Sequence, residues 1–168
     1  MPMSVDCQHE GGIETLRIFL SESPEDALGA LDVLFARPSL KAVMVLVEDR
    51  SARLDDSGRE ALLQTAADRI AAGLRRAAVP TAGVVSPSAS EPARRIVRAC
   101  HFAFASADQA MAHLGALTAG RPPHVIRAVM TSINNQGRMP LEEALLAETR
   151  LFCELSSRKR GAGRGRRP

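Results

Sequence analysis

Cys100 and His101 stand side by side, and Asp108 follows a short way on. A thiol next to an imidazole is the pattern of a nucleophile with its general base. The same residues also have a structural reading, which is the stronger one. Cys100 closes a helical stripe with Ile96 and Val97, where a thiol is buried and inert. His113 and His124 are single histidines with no second ligand at metal spacing, so no metal site is expected. Cys7, Cys100 and Cys153 are far apart and odd in number. They read as reduced thiols of a cytoplasmic protein. Met111, Met130 and Met139 read as core or rim filler.

The chain has 168 residues, 45% of them apolar, which is enough for one domain with its own core. It has no Trp or Tyr and only five Phe, so Ala, Leu, Val and Ile must build that core. The net charge of +3 misleads. Arg158, Lys159, Arg160, Arg164, Arg166 and Arg167 form a basic end without acids, and taking these six from +3 leaves the rest at −3. Such an end could contact phosphates, yet without interleaved aromatic residues it argues against specific nucleic-acid binding. The longest apolar run, Ala42 to Val47, is too short for a membrane span. Residues 1–12 lack the basic and apolar blocks of a signal peptide and read as a flexible leader.

The elements that must position these residues alternate. Ile13 to Leu20 reads as a strand. Ser21 to Asp26 has the small caps, proline and acids of a helix start, and Leu28, Leu31, Leu34 and Phe35 follow at helical spacing. Lys41 to Val47 suits a strand buried on both faces. Residues 48–58 read as a loop, and 59–78 as an amphipathic helix with Leu63, Ala67, Ile70, Leu74 and Ala78 on one stripe. Then come a strand over 80–85, a helix over 92–100, a short strand over 102–105 and a helix over 108–117. Helices over 123–134 and 141–155 close the chain. The alternation predicts an α/β body, over 13–120, with a helical region over 121–156 and a basic Arg/Gly tail over 157–168.

Three blocks carry a resemblance. The first is Gly29 to Leu46, a helix, Arg37-Pro38 and a valine-rich strand. The second is residues 80–116, with Cys100 at its centre. The third is Arg138-Met139-Pro140 and the helix to Phe152. In order and spacing these resemble the crotonase (enoyl-CoA hydratase/isomerase) superfamily. The resemblance implies a crotonase-like α/β core, of ββα superhelix and parallel sheets. It further implies that the core here is shortened, with C-terminal helices for oligomerisation.

The resemblance also implies where chemistry would sit. Family members bind an acyl-CoA thioester and stabilise its enolate with backbone N–H groups, one of them at a helix opening. That donor position falls on Pro92, which has no amide hydrogen. The family's two carboxylate positions fall on Arg95 and Gly115. An acyl-CoA groove would be bordered by Val85, Ser86 and Pro92. A rebuilt site would draw on Asp55, Asp56 and His113. Arg94, Arg95 and Arg98 otherwise read as a solvated helix face.

The expectation is a catalytically degenerate crotonase-fold protein, a pseudoenzyme of fatty acid metabolism. It would be a structural or regulatory subunit with no cofactor, leaving coenzyme A thioester as a conceivable ligand. Its partners would be its own copies, as in a trimer, or an active crotonase paralogue. The alternatives are an active enoyl-CoA hydratase/isomerase with a rebuilt site and a basic-tailed nucleic-acid-binding adaptor.

Overall fold

The computed structural model describes residues 9–20, 24–48, 57–136 and 138–163. The elements, in chain order, are β1 (His9–Glu10), β2 (Ile13–Phe19), α1 (Glu25–Phe35), β3 (Ala42–Glu48), α2 (Ser57–Leu74), β4 (Thr81–Val85), α3 (Glu91–Arg98), β5 (Phe102–Phe104), α4 (Ala107–Thr118), α5 (Pro123–Gln136) and α6 (Leu141–Gly163). One sheet carries the strands in sequence order, β1-β2-β3-β4-β5. β2 to β5 run parallel, and β1 pairs antiparallel with β2. Parallel neighbours need a crossover between them, and α1, α2 and α3 supply the three.

These three helices share one face of the sheet. Leu31 and Leu34 of α1, Leu63, Ile70 and Leu74 of α2, and Ile96 and Val97 of α3 meet Leu16, Ile18, Val43 and Val45 there. α4 covers the other face, with Ala110 and Leu114 on Ile13, Ala42, Met44 and Ala82. Both faces are thus covered, which explains why β2 and β3 are apolar almost without alternation.

α3 sits unusually close to the sheet because of Gly83. A Cβ at residue 83 would stand 2.9 Å from Val97 Cγ1, 3.1 Å from Cys100 Sγ and 3.1 Å from the backbone Cα of Val97. Helix backbone cannot swing aside as a side chain can.

Polar contacts fix the far end of the body. Glu14 is 2% exposed, on the same strand face as Leu16, and its carboxylate accepts from Arg37 Nη1 at 2.6 and 2.7 Å. Arg127 of α5 donates to the carbonyls of Phe35 (3.2 Å) and Arg37 (2.6 Å), just past α1. Asn134 Nδ2 donates to Ala77 O at 2.9 Å, and Arg138 Nη2 to Arg75 O at 3.0 Å, just past α2. α5 therefore docks by capping the carbonyl ends of two core helices, where donors and positive charge are favourable. Ile126 and Met130 are its buried anchors.

Three differences from the sequence reading have physical reasons. The leader expected over 1–12 contributes β1, because Gly11 (φ 60°) and Gly12 (φ 90°) form a two-residue hairpin turn. The helix expected over 59–78 stops at Leu74. Ala77 remains buried beyond it, held by a turn from Ala77 N–H to Leu74 O (3.0 Å). The helix expected over 141–155 runs on to Gly163.

Gly83→Ala tests the seating of α3. The added methyl forces the helix outward, so stability should fall by roughly 1–3 kcal/mol. Urea unfolding followed by far-UV circular dichroism would measure it. An unchanged midpoint would show that α3 is not held this tightly.

Candidate functional site

The parallel strands end near Val85, and the chain turns over Ser86 to Ala89 into α3. Ala89 N–H donates to Ser86 O (3.0 Å), Ser88 N–H donates to Ser86 Oγ (3.3 Å), and the two serine hydroxyls lie 2.9 Å apart. Arg94 Nη2 donates to Pro87 O at 2.9 Å and latches the turn to the helix. Ser90 takes the extended N-cap conformation, and Pro92 follows in the first turn, buried with Ala93. Proline is comfortable there, since its fixed φ suits a helix start. The first bond of the helix runs from Arg94 N–H to Ser90 O at 3.1 Å.

A helix opening is a natural place to receive developing negative charge, because its first amides point outward. At residue 92 that amide hydrogen does not exist. Loss of one oxyanion donor costs about 10²–10³ in rate, and no side-chain motion restores it. Val85 is half-buried, Ser86 is exposed and Pro92 is buried at this edge.

Arg95 points away from the opening, toward α2. Its Nη1 pairs with Asp68 Oδ1 at 2.7 Å. Gln64, with its amide oriented to satisfy both groups, accepts from Arg95 Nη1 and Nε at 2.8 Å. Arg98 pairs with Glu91 at 2.6 Å. The three arginines of α3 therefore form a partnered face rather than a merely solvated one.

Gly115 lies in α4, against the opposite face of the sheet from α3. It borders a cavity of about 360 Å³ with Ile13, Lys41, Met111 and Thr118, at the end of the sheet where β2 and β3 begin. The α3 opening is at the other end, where β4 finishes. Carboxylates at 95 and 115 would stand on different sides of the sheet and could not share one substrate.

Of the rebuilt-site candidates, Asp55 and Asp56 lie outside the described residues. His113 packs on β5, with ring centroids 4.6 Å from Phe102 and 5.2 Å from Phe104. Its Nε2 is buried without a hydrogen-bond partner among the described residues. This places His113 on the α4 side, away from the α3 opening.

Cys100, His101 and Asp108 do not engage one another. Cys100 Sγ faces Ile96 O at 3.9 Å, and burial pushes its thiol up to about 12, against a smaller lowering by Thr81. A thiol held in that state is a poor nucleophile. His101 Nδ1 accepts from Thr81 N–H (3.2 Å) and lies 2.8 Å from Thr81 Oγ1, which in turn accepts from His101 N–H (3.1 Å). An amide donating to Nδ1 fixes the ring as the neutral Nε2–H tautomer. Burial lowers the His101 pKa, and a hydrogen bond with Asn134 partly offsets this. Asp108 is exposed in the first turn of α4, past the far end of β5 from His101. His124 is exposed at the start of α5. Among the described residues no group of His, Cys, Asp and Glu could hold a metal ion, and no helix is long and apolar enough to cross a membrane.

Sequence reasoning missed the Thr81–His101 clasp and the Glu14–Arg37 pair. A lone acid inside the apolar run of β2 was the available signal for the second, since a buried carboxylate requires a partner.

Two measurements check these environments. Cys153 is exposed, so a thiol reagent at mildly alkaline pH should label it far faster than Cys100 in the native protein. Equal rates, read by peptide mass spectrometry, would contradict the burial. His101 has a folded pKa below the ordinary 6.5, so its stabilising effect is complete above that pH. The effect is lost as the pH falls from 6.5 toward the folded value, because the unfolded chain binds the proton first. His101→Gln should therefore flatten the loss of stability over this window. An unchanged slope in denaturant titrations would refute it.

No protein-family model and no curated protein matches the sequence. Solved structures do. An enoyl-CoA hydratase/isomerase family protein from Silicibacter pomeroyi matches with a TM-score of 0.64 at 16% identity, over 88% of this chain and 96% of that one. Enoyl-CoA hydratase from Bacillus anthracis matches at 0.60 and 10% identity, over 89% and 88%. A human enoyl coenzyme A hydratase domain-containing protein matches at 0.56 and 11% identity, over 89% and 90%. At such identities the likeness is one of fold: this chain has the crotonase-like fold of enoyl-CoA hydratase/isomerase structures.

Proposed function

We propose that this protein is a catalytically degenerate crotonase-fold subunit that acts by assembling, with its own copies or with an active hydratase-like paralogue. The observation that carries the proposal is the placement of exposed apolar side chains. Of the eight large hydrophobic residues exposed among the described residues, six lie on α5 and α6: Val129, Ile133, Leu141, Leu145, Leu146 and Phe152. Phe152 is 70% exposed and Leu141 74%. Val129, Ile133, Leu151, Phe152 and Leu155 border one groove of about 210 Å³ between the two helices. Concentrated apolar surface of this kind is a mark of an interface.

The degenerate half of the proposal rests on Pro92, a position without an amide hydrogen, and on Arg95, which is engaged by Asp68. Any acyl-CoA binding belongs at the rim of Val85 and Ser86 and proceeds without turnover. The rebuilt-enzyme reading gains nothing from His113, whose ring packs against Phe102 and Phe104 of β5.

The test is the mass in solution of the full chain, by light scattering after size exclusion, alone and mixed with a hydratase of this fold. The expected result is a species well above 18.0 kDa. Leu145→Glu with Phe152→Glu should return it to a monomer with unchanged circular dichroism. A stable monomer that joins no hydratase would overturn the proposal.

A further inference from the structure

A cleft of about 320 Å³ lies at the seam between the body and α5, bordered by Arg75, Cys100, His101, Asn134 and Arg138. It is at the carbonyl ends of α2 and α3, the far end of the body from the α3 opening. We propose that this cleft is a binding site for a tetrahedral oxyanion of the phosphate class, held between the guanidinium groups of Arg75 and Arg138.

The charge balance points to an anion. No carboxylate borders the cleft, and neither arginine has an ion-pair partner among the described residues. Arg17, Arg37, Arg69, Arg95 and Arg98 each have one. Two guanidinium groups bordering one concave site give it a positive potential that favours an anion. Guanidinium forks also match phosphate oxygens in pairs.

The surroundings do not compete for the ligand. Helix carbonyl ends normally repel anions. Here Arg138 Nη2 already covers Arg75 O (3.0 Å), and Asn134 Nδ2 covers Ala77 O (2.9 Å). Asn134 is also hydrogen-bonded to His101, whose Nδ1 is occupied by Thr81. The polar floor is thus satisfied internally, and the remaining donors at the rim are those of the two arginines. The guanidinium of Arg75 makes no hydrogen bond among the described residues, so replacing it leaves the fold's own contacts intact. The cleft meets the apolar groove of α5 and α6 at Ile133, but Arg75 and Arg138 lie outside that groove.

The experiment is a ¹⁵N–¹H correlation titration of the full chain with inorganic phosphate, at constant pH and ionic strength against chloride. A parallel titration uses glycerol phosphate as a phosphomonoester. Saturable shifts at the amides of Cys100, His101 and Asn134 are expected. Arg75→Gln should weaken them about tenfold or more, the cost of one charged donor set, with the rest of the spectrum unchanged. Arg138→Lys, which keeps charge but not the fork, should weaken them less. Tighter binding of glycerol phosphate would assign the site to an organic phosphate, and equal binding to the free ion. Shifts that never saturate, or saturable shifts that survive Arg75→Gln, would overturn the site.

Discussion

The seating of α3 on β4 is the constraint on which the rest depends. It requires a residue without a side chain at position 83, because the backbone of Val97 occupies the space a methyl would need. From this contact follow the burial of Ile96, Val97 and Ala93, and the docking of α2 alongside. The contact also fixes the direction in which α3 opens. A helix held this closely keeps its opening fixed at the end of β4, where residue 92 offers no amide hydrogen.

Position 92 holds a proline, and its neighbours have adapted to structure. Arg94 closes the turn before the helix, Arg95 joins α3 to α2 through Asp68, and Arg98 pairs within the helix. Each contact is worth little by itself at an exposed surface. Together they tie α3 to the turn before it and to α2. The opposite end of the body shows the same economy. Arg127, Asn134 and Arg138 close helix carbonyls and so anchor α5, leaving the apolar side of α5 and α6 uncovered.

Much of the fold was legible in the sequence because its strongest signals are physical necessities. The unbroken apolar run of β3 announced a strand covered on both faces, and the spacing of Leu63, Ala67, Ile70 and Leu74 announced the helix over it. The proline at 92 was legible as both a helix start and a missing donor. What the sequence did not disclose depends on three-dimensional pairing. Nothing local to Thr81 or His101 predicts that they clasp across adjacent strands, or that residues 95 and 115 fall on opposite sides of a sheet. The Gly11-Gly12 hairpin was a readable signal, hidden by the polar composition of the leader around it.

The proposal tested most directly is that this crotonase-like fold does not stabilise an enolate. The direct measurement is hydration of crotonyl-CoA by the purified full chain, followed by loss of the enoyl absorbance, for the native protein and for Pro92→Gly. The account predicts no turnover above the uncatalysed reaction in either, because restoring one amide hydrogen supplies no carboxylate beside it. Turnover by the native protein at a rate typical of enzymes would contradict it.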